Sequence, residues 1–99
     1  MVLNKINILK ALSNHSESMD NYGVRKIGLF GSFVNKTHKS GSDVDILVEF
    51  HKGKKTFDNY MGLKAMLEKL FGRKVDLVIK DALKPRIKSS VLRNTQYLL

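Results

Sequence analysis

Residues 43–50, Asp43-Val44-Asp45-Ile46-Leu47-Val48-Glu49-Phe50, constrain this 99-residue chain more than any other stretch. The alternation predicts a β-strand with Val44, Ile46, Val48 and Phe50 on one side and Asp43, Asp45, Leu47 and Glu49 on the other. A strand needs neighbours, and two further segments qualify. Lys26-Ile27-Gly28-Leu29-Phe30 reads as a short buried strand stopped by Gly31-Ser32, and residues 74–79 place Val75, Leu77 and Ile79 opposite Asp76 and Val78. Between these, polar residues 35–42 imply a surface connection and residues 51–55 a turn.

Helical periodicity fills the rest. Val2, Ile6, Leu9 and Leu12 recur near a 3.6-residue period, predicting a helix over 2–13, whereas polar residues 13–22 read as a loop. Leu63, Met66, Leu67, Leu70 and Phe71 follow i, i+3, i+4, i+7, i+8, predicting a helix over 58–71 stopped by Gly72. Pro85 suits the first turn of a last helix over 85–93, and residues 97–99 form a docking segment or a strand. The expectation is a small α/β domain spanning 1–99.

Composition narrows the function classes. The absence of Cys excludes a disulfide framework, a thiolate nucleophile and Cys-ligated metals. No stretch approaches the ~20 apolar residues of a membrane span, and the N-terminus has no continuous apolar signal core, so a cytoplasmic location is expected. The net charge is +9, with six basic and five acidic residues in 1–50 but twelve and four in 51–99. Such a basic excess attracts nucleic acid, nucleotide phosphates or an acidic protein.

Against that charge, three carboxylates stand on predicted core strands. Asp43 and Asp45 lie two residues apart, ~6.6 Å along one strand face, and can bracket a pair of hard cations ~3.5–4 Å apart. Mg²⁺ prefers such ligands and completes its shell with water and substrate phosphate. Asp76, on another strand, would add a third ligand and a possible base. Gly31 permits a close approach of backbone to a ligand, and Ser32 can open a helical turn whose N–H groups receive an anion such as a triphosphate. Taken singly, a Gly-Ser turn is an ordinary cap and an Asp-x-Asp pair an ordinary solvated edge. Together they carry the cost of unpaired charge near a core, which metal binding explains economically.

Gly31-Ser32 followed, ten residues later, by Asp43-x-Asp45 resembles the signature of the DNA polymerase beta nucleotidyltransferase superfamily, and the chain is similar to its minimal nucleotidyltransferase (MNT) family. The resemblance extends over roughly residues 25 to 99, through Leu29-Phe30-Gly31-Ser32, 42–50, Gly62-Leu63, Gly72-Arg73-Lys74-Val75-Asp76-Leu77-Val78 and Leu83-Lys84-Pro85-Arg86-Ile87. It implies a mixed sheet of three to four strands with helices mainly on one face. It also implies two Mg²⁺ ions on Asp43 and Asp45, with Asp76 completing the catalytic metal site, and Gly31 and Ser32 holding the β and γ phosphates of ATP. The implied activity is transfer of AMP to a tyrosine of a HEPN-domain toxin, as its antitoxin, within a homo- or hetero-oligomer. The chain departs from the family at Asn35 and Lys36, where Arg and Gly are usual. Lys36 is the candidate for the missing positive charge at the nucleotide, though a point charge does not reproduce a guanidinium fork.

Two other function classes remain open: a binding-only antitoxin and a small basic nucleic-acid binder, the latter resting on charge alone. His15, His38 and His51 lack metal-ligand spacing and read as surface or loop residues. Lys52, Lys54 and Lys55 read as a solvated loop, with contact to nucleotide or partner as the alternative. Phe57, Tyr60, Met61, Met66 and Phe71 read as core or partner surface. No Arg is followed four to six residues later by His, so the chain is expected to be the transferase and not the toxin.

Overall fold

A computed structural model describes residues 3–39 and 41–98. Helix α1, Lys5–Asn14, starts where the Asn4 side chain accepts the Asn7 N–H at 2.8 Å, satisfying one of the helix's orphan donors. Its inward face is Ile8 and Leu12, both fully buried, while Ile6 is 62% exposed. The predicted stripe through Ile6 is therefore rotated, with Leu9 flanking the core, and Val2 lies outside the described residues. The segment read as a loop over 13–22 contains a second helix, α2, Ser16–Asn21. One apolar residue anchors it: Met19 enters the core, and Glu17 in the first turn suits the helix dipole. A single Met among polar residues leaves no periodicity to read.

Strand β1, Val24–Phe30, begins two residues before its predicted start. Helix α3, Ser32–Asn35, follows at once. β2, Val44–Phe50, is the central strand, and β3, Val75–Ile79, runs beside it after helix α4, Phe57–Phe71. Thr56 caps α4 by accepting the Asn59 N–H, and Gly72 ends it at φ 65°, the left-handed conformation glycine tolerates best. A 3₁₀ turn, Lys80–Ala82, leads to helix α5, Pro85–Asn94, and a two-residue strand β4, Gln96–Tyr97. The sheet order is β3-β2-β1-β4, with β2 antiparallel to β1 and parallel to β3, and β4 antiparallel to β1. This is the mixed four-stranded α/β fold the sequence implied.

The core lies between one sheet face and helices α1, α2 and α4. Ile27, Leu29, Val44, Ile46, Val48, Val75 and Leu77 meet Ile8, Leu12, Met19, Leu63, Leu67 and Phe71 there. Tyr60 and Met66 flank this core, whereas Phe57 is 77% exposed and Met61 also faces solvent. α5 contributes no buried residue, so the helices do pack mainly on one face. Leu47 departs from its expected setting: it points away from the main core yet is fully buried, so the middle of the carboxylate-bearing face is covered. Among the described residues no helix is long and apolar enough to cross a membrane.

Candidate active site

Three elements deliver the predicted residues to one end of the sheet. Phe30, the last residue of β1, pairs with Asp45, and Asp45 pairs with Asp76 across the parallel β2–β3 ladder. Paired strands lie about 4.8 Å apart, so these two carboxylates start from adjacent backbone positions on one face. Asp43 stands one residue before β2, exposed, as is Asp76; Asp45 is half-buried.

Gly31 makes the turn from β1 into α3 at φ 75° and ψ −146°, a region that side chains disfavour. Space forbids a side chain as well, because a Cβ on Gly31 would overlap the Asp45 carboxylate. Val34 and Asn35 donate their N–H groups to the Gly31 carbonyl at 3.1 and 3.0 Å, which winds α3. The Ser32 N–H, at the open end of that turn, donates to the Asp45 carboxylate. The Gly-Ser turn and the Asp-x-Asp strand are thus in direct contact.

Electrostatically the cluster is uncompensated. Burial pushes the Asp45 carboxyl above its ordinary range, the negative charges of Asp76 and Asp43 push it further, and the Ser32 N–H opposes them. Among the described residues the ion pairs involve Glu49 and none of these aspartates. All three side chains offer hard oxygen donors, the set Mg²⁺ takes. Among the described residues no three acidic or imidazole side chains close around a point on their own. The residues fit a cation that needs further ligands from water and phosphate, and do not form an all-protein cage.

Lys36 lies at the far end of α3 from Ser32. It ends α3 with φ 59°, the positive-φ non-glycine among the described residues, which gives a physical reason why Gly is usual there. The exposed Lys36 lines a cavity of about 460 Å³ with Lys5, Ile6, Phe33 and His38, and none of the three aspartates is in its walls. His38, expected as a surface or loop residue, lies in the connection after α3, half-buried, and stacks on Phe33 at 4.3 Å and 12°. His15 turns back on α1, its Nδ1 2.9 Å from the Ala11 carbonyl, and His51 is exposed in the turn after β2.

The family follows from comparison with known proteins. The model described as "Nucleotidyltransferase domain" matches residues 7–98. The chain belongs to this family. The protein adenylyltransferase MntA of Thermococcus cleftensis is 42% identical over 86 residues, covering 87% of this chain and 86% of that protein. Among solved structures, a toxin–antitoxin with AMP-PNP contains a chain 25% identical to this one, with a TM-score of 0.69, covering 98% of this chain and 73% of that one. A tri-AMPylated Shewanella oneidensis HEPN toxin in complex with MNT antitoxin contains one 19% identical, TM-score 0.64, covering 92% and 71%, a likeness of fold alone.

Within the nucleotidyltransferase domain, sequence reasoning assigned nothing to Arg73. Its Nη1 donates to the Ser42 carbonyl at 3.1 Å, and its guanidinium carbon lies 5.6 Å from the Phe33 ring centroid. Nothing in the sequence spacing announces either contact.

Proposed function

We propose that this domain, spanning 1–99, is a Mg²⁺-dependent protein adenylyltransferase that transfers AMP from ATP to a hydroxyl of a partner protein, a tyrosine of a HEPN toxin. By that transfer it acts in the cytoplasm as the antitoxin. The observation that carries the reading is the contact of the Ser32 turn with Asp45, itself paired with Asp76. It sets the Gly31-Ser32 turn beside two neighbouring hard oxygen donors, which supports a phosphate and its cation being taken there.

Asp43 and Asp45 would hold two Mg²⁺ ions and Asp76 would complete one of the two sites. Bound there, the metal supplies charge neutralisation at the phosphates and lowers the pKa of an oxygen it meets. Gly31 and Ser32, at the turn into α3, would hold the β and γ phosphates. Asp76, exposed at the sheet edge, faces the acceptor and takes its hydroxyl proton. The acceptor oxygen bonds to the α phosphorus, the bond from that phosphorus to the bridging oxygen breaks, and pyrophosphate leaves. The names of the relatives support the adenylyl group and the protein acceptor.

Incubation with α-labelled ATP, Mg²⁺ and the product of a HEPN-toxin gene tests this. Label on that product with the wild type, and none with the Asp43→Ala, Asp45→Ala double mutant, is expected. Transfer surviving the double mutation would sink the proposal.

A second reading is a binding-only antitoxin, favoured by the exposed Asn35 where Arg is usual. Neutralisation of the toxin by the double mutant, in an intact complex, would favour it over the enzyme.

A further inference from the structure

Ser32, Asp43 and Asp76 come from three segments with no regular pairing among all of them. α3 has four residues, too few to hold itself, and it ends in a left-handed Lys36. The 36–43 connection between α3 and β2 is mostly exposed. One side chain touches all three segments. Arg73 stands three residues before Asp76 and donates to the carbonyl of Ser42, the residue before Asp43. Its guanidinium also lies over the ring of Phe33, the residue after Ser32.

Each contact is itself anchored. Phe33 is fully buried, and His38 stacks on its ring, tying the connection to α3. The Val44 N–H donates to the Lys74 carbonyl at 3.0 Å, the first rung beside Arg73, and the Val75 N–H donates to Glu68 on α4 at 3.0 Å. The base of the Arg73 side chain is therefore held by the sheet and by α4, and its head reaches α3 and the start of β2.

We propose that Arg73 is a positioning residue that sets the phosphate-facing Ser32 turn against the carboxylates of Asp43 and Asp76, an inference that rests on the nucleotidyl-transfer reading. A planar guanidinium can donate to the Ser42 carbonyl while lying over an aromatic face; an ammonium holds either contact but not both well. Displacements of about 1 Å between reacting groups can cost ~10²-fold in rate.

The test compares Arg73→Ala, Arg73→Lys and Phe33→Leu with the wild type in two measurements. The first is amide hydrogen exchange at Ser32, which needs no nucleotide. Exchange at Ser32 is expected to rise roughly tenfold in Arg73→Ala and less in Arg73→Lys, while the Leu12 amide in α1 stays protected. A rise of equal size at Leu12 would mean general loss of stability and would overturn the proposal, as would an unchanged Ser32. The second is adenylyl transfer, where kcat is expected to fall ~10–100-fold in Arg73→Ala with KM for ATP within about threefold, and Arg73→Lys to recover part of kcat. A raised KM with unchanged kcat would overturn it in favour of direct phosphate binding by Arg73. Phe33→Leu keeps apolar volume, removes the ring, and is expected to change both readouts in the same direction by less. If the wild type transfers nothing while the Ser32 exchange pattern holds, the transfer reading fails and the clamp stands.

Discussion

The two ends of one face of β2 carry carboxylates in opposite settings. At one end Glu49 is ringed by donors: Arg25 at 3.4 Å, Lys80 at 3.6 Å, and the Tyr97 hydroxyl, whose pKa is raised by burial, by the Glu49 charge and by its hydrogen bond to Glu49. At the other, Asp45 meets Asp76 and Asp43, and its one attested donor is a backbone N–H. Four residues apart on the same strand and face, one carboxylate is paired with cations of the chain and the other, among the described residues, is not. Under the proposed function, the unpaired carboxylate is the one that would take its cation from outside the chain.

The largest effect expected from this contrast is on transfer. Asp43→Ala with Asp45→Ala should lower adenylyl transfer by at least about 10³-fold, since several kcal/mol of charge stabilisation is lost, while Glu49→Gln should leave it within about threefold. A comparable loss in Glu49→Gln, assayed with α-labelled ATP, would erase the distinction between the two ends.

Gly31→Ala comes next. It forces a side chain into a positive-φ position and into the Asp45 carboxylate, so a loss of about 1–3 kcal/mol is expected, read as a fall in Tm. Gly53, also at positive φ but with open space around its missing Cβ, should lose less as Gly53→Ala. Equal losses would show that the Asp45 contact contributes nothing.

The smallest effect has a sign worth working out. Because the Asp45 carboxyl titrates above its ordinary value of 3.8 in the folded protein, the folded state holds that proton longer than the unfolded chain. Its contribution to stability therefore falls as pH rises from about 3.8 through the folded value. Asp45→Asn should raise Tm at pH 7 without divalent cations by about 2–4 °C, after discounting for solvent screening, and by nothing below pH ~3.8. Glu49→Gln should lower Tm, through a loss of stability of no more than about 1 kcal/mol, because it removes two screened ion pairs. A Tm change of the same sign in both would contradict the electrostatic contrast.

The sheet was legible because β2 alternates cleanly and because Gly72 and Pro85 punctuate their helices in the way backbone sterics require. The resemblance carried the three aspartates and the Gly-Ser turn, and the structure brings Asp45, Asp76 and Ser32 together as neighbours. What escaped reading was what depends on contacts between distant segments. α2 hangs on Met19 alone; Leu47 is covered on the face that alternation assigns to polar residues; His38 and Arg73 acquire their surroundings from Phe33.

The most direct test of the central claim is a calorimetric titration of AMP-PNP with excess Mg²⁺ into the wild type, Asp45→Asn and Glu49→Gln. The account predicts that the wild type and Glu49→Gln bind with the same Kd within about twofold, while Asp45→Asn binds at least roughly tenfold more weakly despite its higher Tm in the absence of metal. Equal binding by Asp45→Asn, or an equal loss in Glu49→Gln, would contradict it.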